Sequence, residues 1–468
     1  MMSKTITMDM TNGSIVKKLI KYSIPTVIMN LLQVLFGMTD VFVVGLFVSD
    51  QAVAAVGSNS SIVNLIIALF IGMSVASNVL VSKYIGRGES EKTTRVVGTS
   101  VLLSIVTGSC LAVFGFFMTK YFLMLVNCAE SVIDLATLYL KIYFLGMPAV
   151  MLYNYCASIL RATGDTFHPM LFISIAGAIN VVLDIFFVAV LNMTVDGVAI
   201  ATVIANVFSA VSLLFTLIKQ QGPSALRKKY FRFYKDELRS LIKIGIPSGI
   251  QSSVFAISNI IIQSAINSFG DKFMTANTIA AQFDHIMYTI GDAIAVSVIS
   301  FVSQNYGAGK DDRIKRTVFS AMGMVTIMGA MIYIFIIIFG RTLCGIFTNT
   351  EEIIELALIR LQWMSPMYII CSYMAIFSNT CKGLGRATTA MIISFVGSCL
   401  LRVLYIEFIL PLNRTEIMLY LAYPISWAAT CIIYLFVLIP LFKHLKQDMA
   451  KDKEKDLEAI KQERAKTA

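Results

Sequence analysis

Long apolar runs alternate with short polar stretches twelve times along the chain. The runs lie near 15–48, 53–82, 93–118, 131–160, 168–191, 195–218, 239–266, 276–303, 315–340, 352–382, 388–412 and 416–443. A helix crosses the hydrocarbon core of a bilayer with about 20 apolar residues, and each run reaches that length. Lipid offers the backbone no water, so a spanning segment must satisfy its own N–H and C=O groups, which a helix does. The pattern predicts an all-α membrane protein with twelve transmembrane helices. The first run carries Pro25. A proline inside a helix removes one backbone hydrogen bond and sets a kink or hinge.

Composition narrows the function classes. Of 468 residues, 57% are hydrophobic and 14% charged. A soluble domain carries roughly 25% charged residues. The balance excludes a soluble enzyme, a disordered chain and a nucleic-acid-binding domain. The eight cysteines stand singly, without CxxC or Cys/His spacing, so neither a disulfide framework nor a zinc site is expected. Residues 1–14 are polar and the first apolar run is too long for a signal-peptide core, so no cleavable signal is expected. The Gly-rich piece Tyr84–Gly88 lacks the GK[ST] of a phosphate loop, and neither a nucleophile elbow nor HExxH occurs. No catalytic residues are expected, and the protein is not expected to be an enzyme.

The net charge of +10 is distributed by side. With the N-terminus placed inside, 31 Lys and Arg fall in inner segments and 4 in outer loops. That asymmetry fits an even number of spans with both termini cytoplasmic, in a multi-pass protein of the cell inner (plasma) membrane. The segment 219–238 is a basic cytoplasmic linker, 1–14 a cytoplasmic N-terminus, and 444–468 a charged cytoplasmic tail.

The two halves repeat. LIKYSIP (19–25) recurs as LIKIGIP (241–247), YIGRG (84–88) as NYGAG (305–309), and LRATG (160–164) as CKGLG (381–385), at offsets of 221 or 222. Each repeat spans six helices, so both share one membrane orientation. The expected organisation is an N-lobe of helices 1–6 over 15–218 and a C-lobe of helices 7–12 over 239–443. Parallel repeats with a site between them are a common plan of secondary transporters.

Ionisable residues inside membrane helices are costly, and each is a functional candidate. Asp40, Asp184 and Thr202 lie roughly 10–12 Å below the outer surface at 1.5 Å per residue. Asn180 stands one turn from Asp184 on the same face. On helix 1, Met29, Gln33, Phe36 and Asp40 share a stripe. Two carboxylates, an amide oxygen and a hydroxyl at one depth form an all-oxygen cluster suited to a hard cation such as Na⁺. The same pair could hold a proton, and each Asp alone could serve as a cap or a cross-helix hydrogen bond. The offset maps Asp40 to Ile262, Asn180 to Leu401 and Asp184 to Tyr405, so the second half lacks the cluster. That half carries Asp284, His285, Asp292, Arg360 and Arg402 instead. Asp284 and Arg402 lie at similar depth, which suggests a buried ion pair; Asp284 and Asp292 are otherwise candidates to line a substrate cavity with Met29, Gln33 and Phe36.

At this point the chain resembles the multidrug and toxic compound extrusion (MATE) family, in its DinF-like branch. The segments that carry the resemblance are IPTVIMNLLQVLFGMTDVFVVG (24–45), LRATGDTFHPM (160–170), NVVLDIFFV (180–188), SQNYGAGK (303–310) and KYIGRG (83–88). The resemblance implies a cation-coupled antiporter that exports cationic amphipathic drugs or toxic organic compounds by alternating access. Na⁺ or H⁺ would be the coupling ion, and no other cofactor is implied. It implies a cation site at Asp40, Asn180, Asp184 and Thr202, and a bending proline at Pro25. It departs from the NorM-like branch, which has a glutamate in helix 7 where Phe255 stands here, with no acid in 239–266. Small-molecule substrates, membrane lipid and a monomeric state are expected, and no nucleic acid. The alternatives are a lipid-linked oligosaccharide flippase of the same superfamily, which would line its cavity with cationic residues, and a channel or non-transporting membrane protein.

Overall fold

The computed structural model describes residues 8–125 and 128–467. They form helices throughout. In chain order these are α1 (Ile15–Phe47), α2 (Asp50–Arg87), α3 (Ser90–Leu125), α4 in two pieces (Ile133–Leu145 and Met147–Ala162), α5 (Phe167–Ile185, ending in a π turn Phe186–Val190) and α6 (Val195–Lys219). The second half continues with α7 (Lys235–Asn267), α8 (Asp271–Gly307), α9 (Asp311–Gly345) and α10 (Glu351–Met364, a 3-10 turn, then Tyr368–Gly383). Then come α11, from Ala387 to Leu412 with two π turns, and α12 (Glu416–Thr467). Ten helices are long and apolar enough among the described residues to cross a membrane, and the α4 pair, bent by 47°, makes an eleventh. α1, with 33 residues, completes the twelve; at 1.5 Å per residue it is roughly 50 Å long.

Large apolar side chains point outward all round these helices. Phe117 is 73% exposed and Phe436 76%. In water such a surface would aggregate, whereas lipid is a matching solvent.

Packing divides the chain into two compact units, and each has its own core. The first holds Ile20–Val81 and Ser90–Ser268; the second holds Asp9–Leu19, Ser82–Glu89 and the chain from Phe269 onward. The core of the first is built on Leu140, Phe144, Met147 and Met151 of α4 with Val195, Val198 and Ala199 of α6. That of the second joins Ala276, Ile279 and Ala280 of α8 to Ile354, Ala357 and Leu361 of α10.

The boundary of packing is not the boundary of the repeat, and glycines explain why. α7 packs with the first unit because its backbone reaches that of α2. A Cβ on Gly249 would meet the Leu69 carbonyl oxygen at 2.1 Å, and one on Gly72 would meet the Gly249 Cα at 2.6 Å. The end of α2 packs with the second unit for a parallel reason. A Cβ on Gly86 would meet the Gln304 carbonyl oxygen at 2.0 Å, and one on Gly307 would meet that of Lys83 at 2.0 Å. Gly86 and Gly307 are repeat mates, as are Lys83 and Gln304, so the contact is reciprocal in the manner of a two-fold.

The tail expected to start at 444 does not begin a new element. α12 runs unbroken to Thr467. No Gly or Pro follows Pro440, and Lys, Asp, Glu and Ala dominate the sequence after it, all but Asp good helix formers. The first turns of the extension past 444 are anchored within the second unit. Asp452 takes Lys83 at 2.7 Å and the Tyr306 hydroxyl at 3.2 Å, and Asp448 takes Arg386 at 2.8 Å.

Candidate functional site

The predicted oxygen cluster assembles inside the first unit. Asp40 comes from α1, Asn180 and Asp184 from α5, and Thr202 from α6. The Thr202 hydroxyl donates to Asp40 Oδ2 at 3.2 Å. Asn180 Nδ2 donates to Thr202 Oγ1 at 3.3 Å and to Asp184 Oδ1 at 3.4 Å. Asp40, Asn180 and Asp184 are buried, and Thr202 is partly so. α5 presents Asn180 and Asp184 one turn apart on one face, and its regular α winding stops at Ile185, where the π turn begins. π turns of this kind often accompany functional residues.

Each carboxylate keeps one bare oxygen. Asp40 Oδ1 and Asp184 Oδ2 are buried without a hydrogen-bond partner. The two carboxyls are close enough for each charge to act on the other. Neither has a Lys or Arg partner among the described residues. Two neighbouring buried carboxyls with two unmet oxygens form a donor set that suits a proton or a small hard cation. The cluster holds only two carboxylates, and no group of three or more His, Cys, Asp or Glu suited to a metal occurs among the described residues.

The helix 1 stripe is not one surface. Met29 is buried, with its sulfur 3.5 Å from the Tyr153 hydroxyl, and Gln33 is exposed. Phe36 lies flat where a side chain of residue 177 would be: a Cβ on Gly177 would meet its ring at 1.9 Å. Gly177 is therefore what lets α1 and α5 approach beside the Asp40–Asn180 pair. Pro25 lies inside a continuous α1. Two residues escaped the sequence reading. Tyr139 and Tyr143 of α4 stack at 6.2 Å, within electrostatic reach of Asp40. Their spacing of four was visible, but nothing in it marked the facing partner.

In the second unit the expected partner is corrected. Asp284 does not pair with Arg402. Arg360 Nε donates to Asp284 Oδ2 at 2.9 Å, and its other arm reaches Asn277 Oδ1 at 2.5 Å. Arg402 donates to Ser426 Oγ at 3.3 Å and lies 4.8 Å over the Tyr423 ring. Arg360 and Arg402 both come near the depth of Asp284, and depth alone did not discriminate between them. Asp292 is half-buried on α8. At Tyr405, the repeat mate of Asp184, the hydroxyl donates to the Met418 carbonyl at 3.0 Å. A second π turn opens there, so the second half keeps the helix break and loses the acid.

Comparison with known proteins agrees with this frame. YpnP of Bacillus subtilis strain 168, a probable multidrug resistance protein, is 26% identical over 394 residues, 84% of this chain and 88% of its own length. NorM of Thermotoga maritima, also named a probable multidrug resistance protein, is 23% identical over 384 residues, 81% of this chain and 82% of its own. Among solved structures, a MOP superfamily transporter from Pyrococcus furiosus superposes with a TM-score of 0.86 at 20% identity, over 95% of this chain and 99% of that one. A MATE in its bent conformation superposes at 0.87 and 20% identity, over 96% and 100%. The MatE family model matches residues 25–186 and 247–406, one stretch in each repeat, so this chain belongs to the multidrug and toxic compound extrusion family.

Proposed function

We propose that the protein is a cation-coupled antiporter of the DinF-like branch that exports cationic amphipathic compounds by alternating access, with Na⁺ or H⁺ as the returning ion. The observation that carries this reading is the pair of bare, buried carboxylate oxygens on Asp40 and Asp184, whose other oxygens accept from Thr202 and Asn180. A structural pair would be neutralised from within the chain. This one is left to an ion that can come and go. The relatives named as multidrug resistance proteins support the cargo class.

The coupling cycle follows from charge. With a cation or proton in place, the repulsion between the two carboxylates is relieved and the α1–α5–α6 contact can tighten. When the ion leaves, the two carboxylates repel, and α1 can yield at Pro25, where one backbone bond is already missing. The excess of lysine and arginine on one set of alternate segments supports both termini lying in the cytoplasm of a plasma-membrane protein. The monomer is taken as the working unit.

Efflux of ethidium from energised vesicles, with a pH gradient and a Na⁺ gradient imposed separately, tests the reading. One of the two gradients should drive efflux in the wild type. Asp40→Asn and Asp184→Asn should each abolish it at equal membrane abundance. Wild-type efflux by both variants would remove the cluster from the mechanism.

A further inference from the structure

The second unit also holds a buried carboxylate in a shell of oxygens, and there the positive charge is built in. Asp284 is 2% exposed and Arg360 5%. The guanidinium does not grip the carboxylate in the two-pronged manner of a strong cohesive pair. It divides itself between Asp284 Oδ2 and Asn277 Oδ1 and lies 5.8 Å over the Tyr420 ring. Asp284 Oδ1 stays unmet. Asn277 has its own amide tied to the Phe273 carbonyl at 3.0 Å, which fixes its oxygen toward the arginine. Carboxylate oxygen, amide oxygen and an electron-rich ring surround a cation.

We infer that Arg360 is a tethered cation that fills the Asp284 site of the second unit in every state of the protein, so that of the two buried carboxylate sites described above only the Asp40–Asp184 cluster exchanges its cation. Arginine does not deprotonate in proteins, so this charge cannot be released to either side of the membrane. Asp284 is thereby removed from coupling although it is buried and acidic. The residue that sets the number of coupling ions is then Arg360, not an acid. The count of one rests on the antiport reading above; the role of Arg360 does not, and it can be measured apart.

The test counts cations on the purified full chain, using radioactive Na⁺ for bound sodium and difference infrared spectroscopy for a protonated carboxyl. Wild type should show one exchangeable cation, lost in Asp40→Asn. Arg360→Gln should show two, a doubling, and the added one should survive Asp40→Asn and vanish with Asp284→Asn. A folded Arg360→Gln chain with neither sodium nor proton at Asp284 overturns the inference, as does a wild-type cation removed by Asp284→Asn. If Arg360→Gln fails to accumulate, the neutral pair Arg360→Gln with Asp284→Asn decides. Recovery supports the need for a charge at Asp284, and continued failure assigns Arg360 to packing and overturns the proposal. A wild type whose cation count ignores Asp40→Asn defeats the antiport reading alone, because the Arg360 effect is read in the Asp40→Asn background.

Discussion

Thr202 carries the hydrogen-bond chain of the first-unit cluster. It donates to Asp40 and accepts from Asn180, so one hydroxyl sets the orientation of both. A hydrogen bond to a charged group contributes about 1.5–3 kcal/mol, and about 1.4 kcal/mol is a tenfold change in affinity. Thr202→Ala should therefore weaken coupling-cation binding by roughly ten- to a hundredfold. Thr202→Ser should restore it, because the hydroxyl returns and only a methyl is lost. Binding titrations at equal protein abundance check this, and equal affinities of the alanine variant and the wild type would exclude the relay. The sequence made these residues and Asp184 legible, since each lies at a depth that can be counted along its own helix. Tyr139, Tyr143 and Asn277 were not legible. They are ordinary helix residues until a facing acid or arginine gives them a role.

At the scale of elements, glycine decides which helices touch. The α2–α8 crossing rests on Gly86 and Gly307, each pressed against the other helix's carbonyl. Gly86→Ala and Gly307→Ala should each destabilise the protein by about 1–3 kcal/mol, as overpacking does. Gly323→Ala is the matched control: it lies in α9 with open space where its Cβ would stand. In helices alanine is favoured over glycine by about 1 kcal/mol, so that variant should be neutral or slightly stabilised. Thermal unfolding in detergent separates the two outcomes. α1 offers the second element-level expectation. Pro25→Ala restores a backbone donor and straightens the preferred path, so export should slow while cation affinity is kept. Loss of binding with export intact would contradict the hinge. Element identity and order were legible from hydrophobic run length, and observed ends lie within about seven residues of expectation apart from α12, the widest of these being the end of α3 at Leu125 against 118. The continuation of α12 was hidden because run length measures the membrane, and a helix need not stop at the membrane surface. Asp448 and Asp452 keep its extension in place through Arg386, Lys83 and Tyr306.

For the whole molecule, the single exchangeable cation site proposed above would fix the electrical sign of transport. A monovalent drug leaving against one entering cation moves no net charge. The membrane potential, worth about 2.3 kcal/mol per elementary charge per 100 mV, then cancels from the driving force. Exchange should respond to the ion gradient and be indifferent to an imposed potassium diffusion potential in liposomes. Acceleration by an inside-negative potential would show that more than one cation returns per drug. Coupling also requires reciprocity. If drug and cation oppose each other, each must weaken the other's binding by the same factor. Drug affinity measured in detergent should fall as the coupling cation rises, and cation affinity should fall as drug rises. A drug affinity unchanged by both Na⁺ and pH would break the antiport scheme.

The sequence by itself determined the spans, their charge asymmetry, the repeat, the family and which four side chains could meet in the first unit; the structure turned the amide nitrogen of Asn180, not its oxygen, toward Asp184 and Thr202. The spans, the charge asymmetry and the matched depths follow from one-dimensional quantities: run length against membrane thickness, charge on alternate loops, and distance at 1.5 Å per residue; the repeat and the family rest on segments recognised along the chain. Only the tertiary structure decided what depends on rotation about each helix axis. It paired Asp284 with Arg360 rather than Arg402, parted Met29 from Gln33, set Phe36 on Gly177, and grouped α7 with the first unit. Facing is settled by side chains from other helices, distant in sequence, and no count along a single helix contains it.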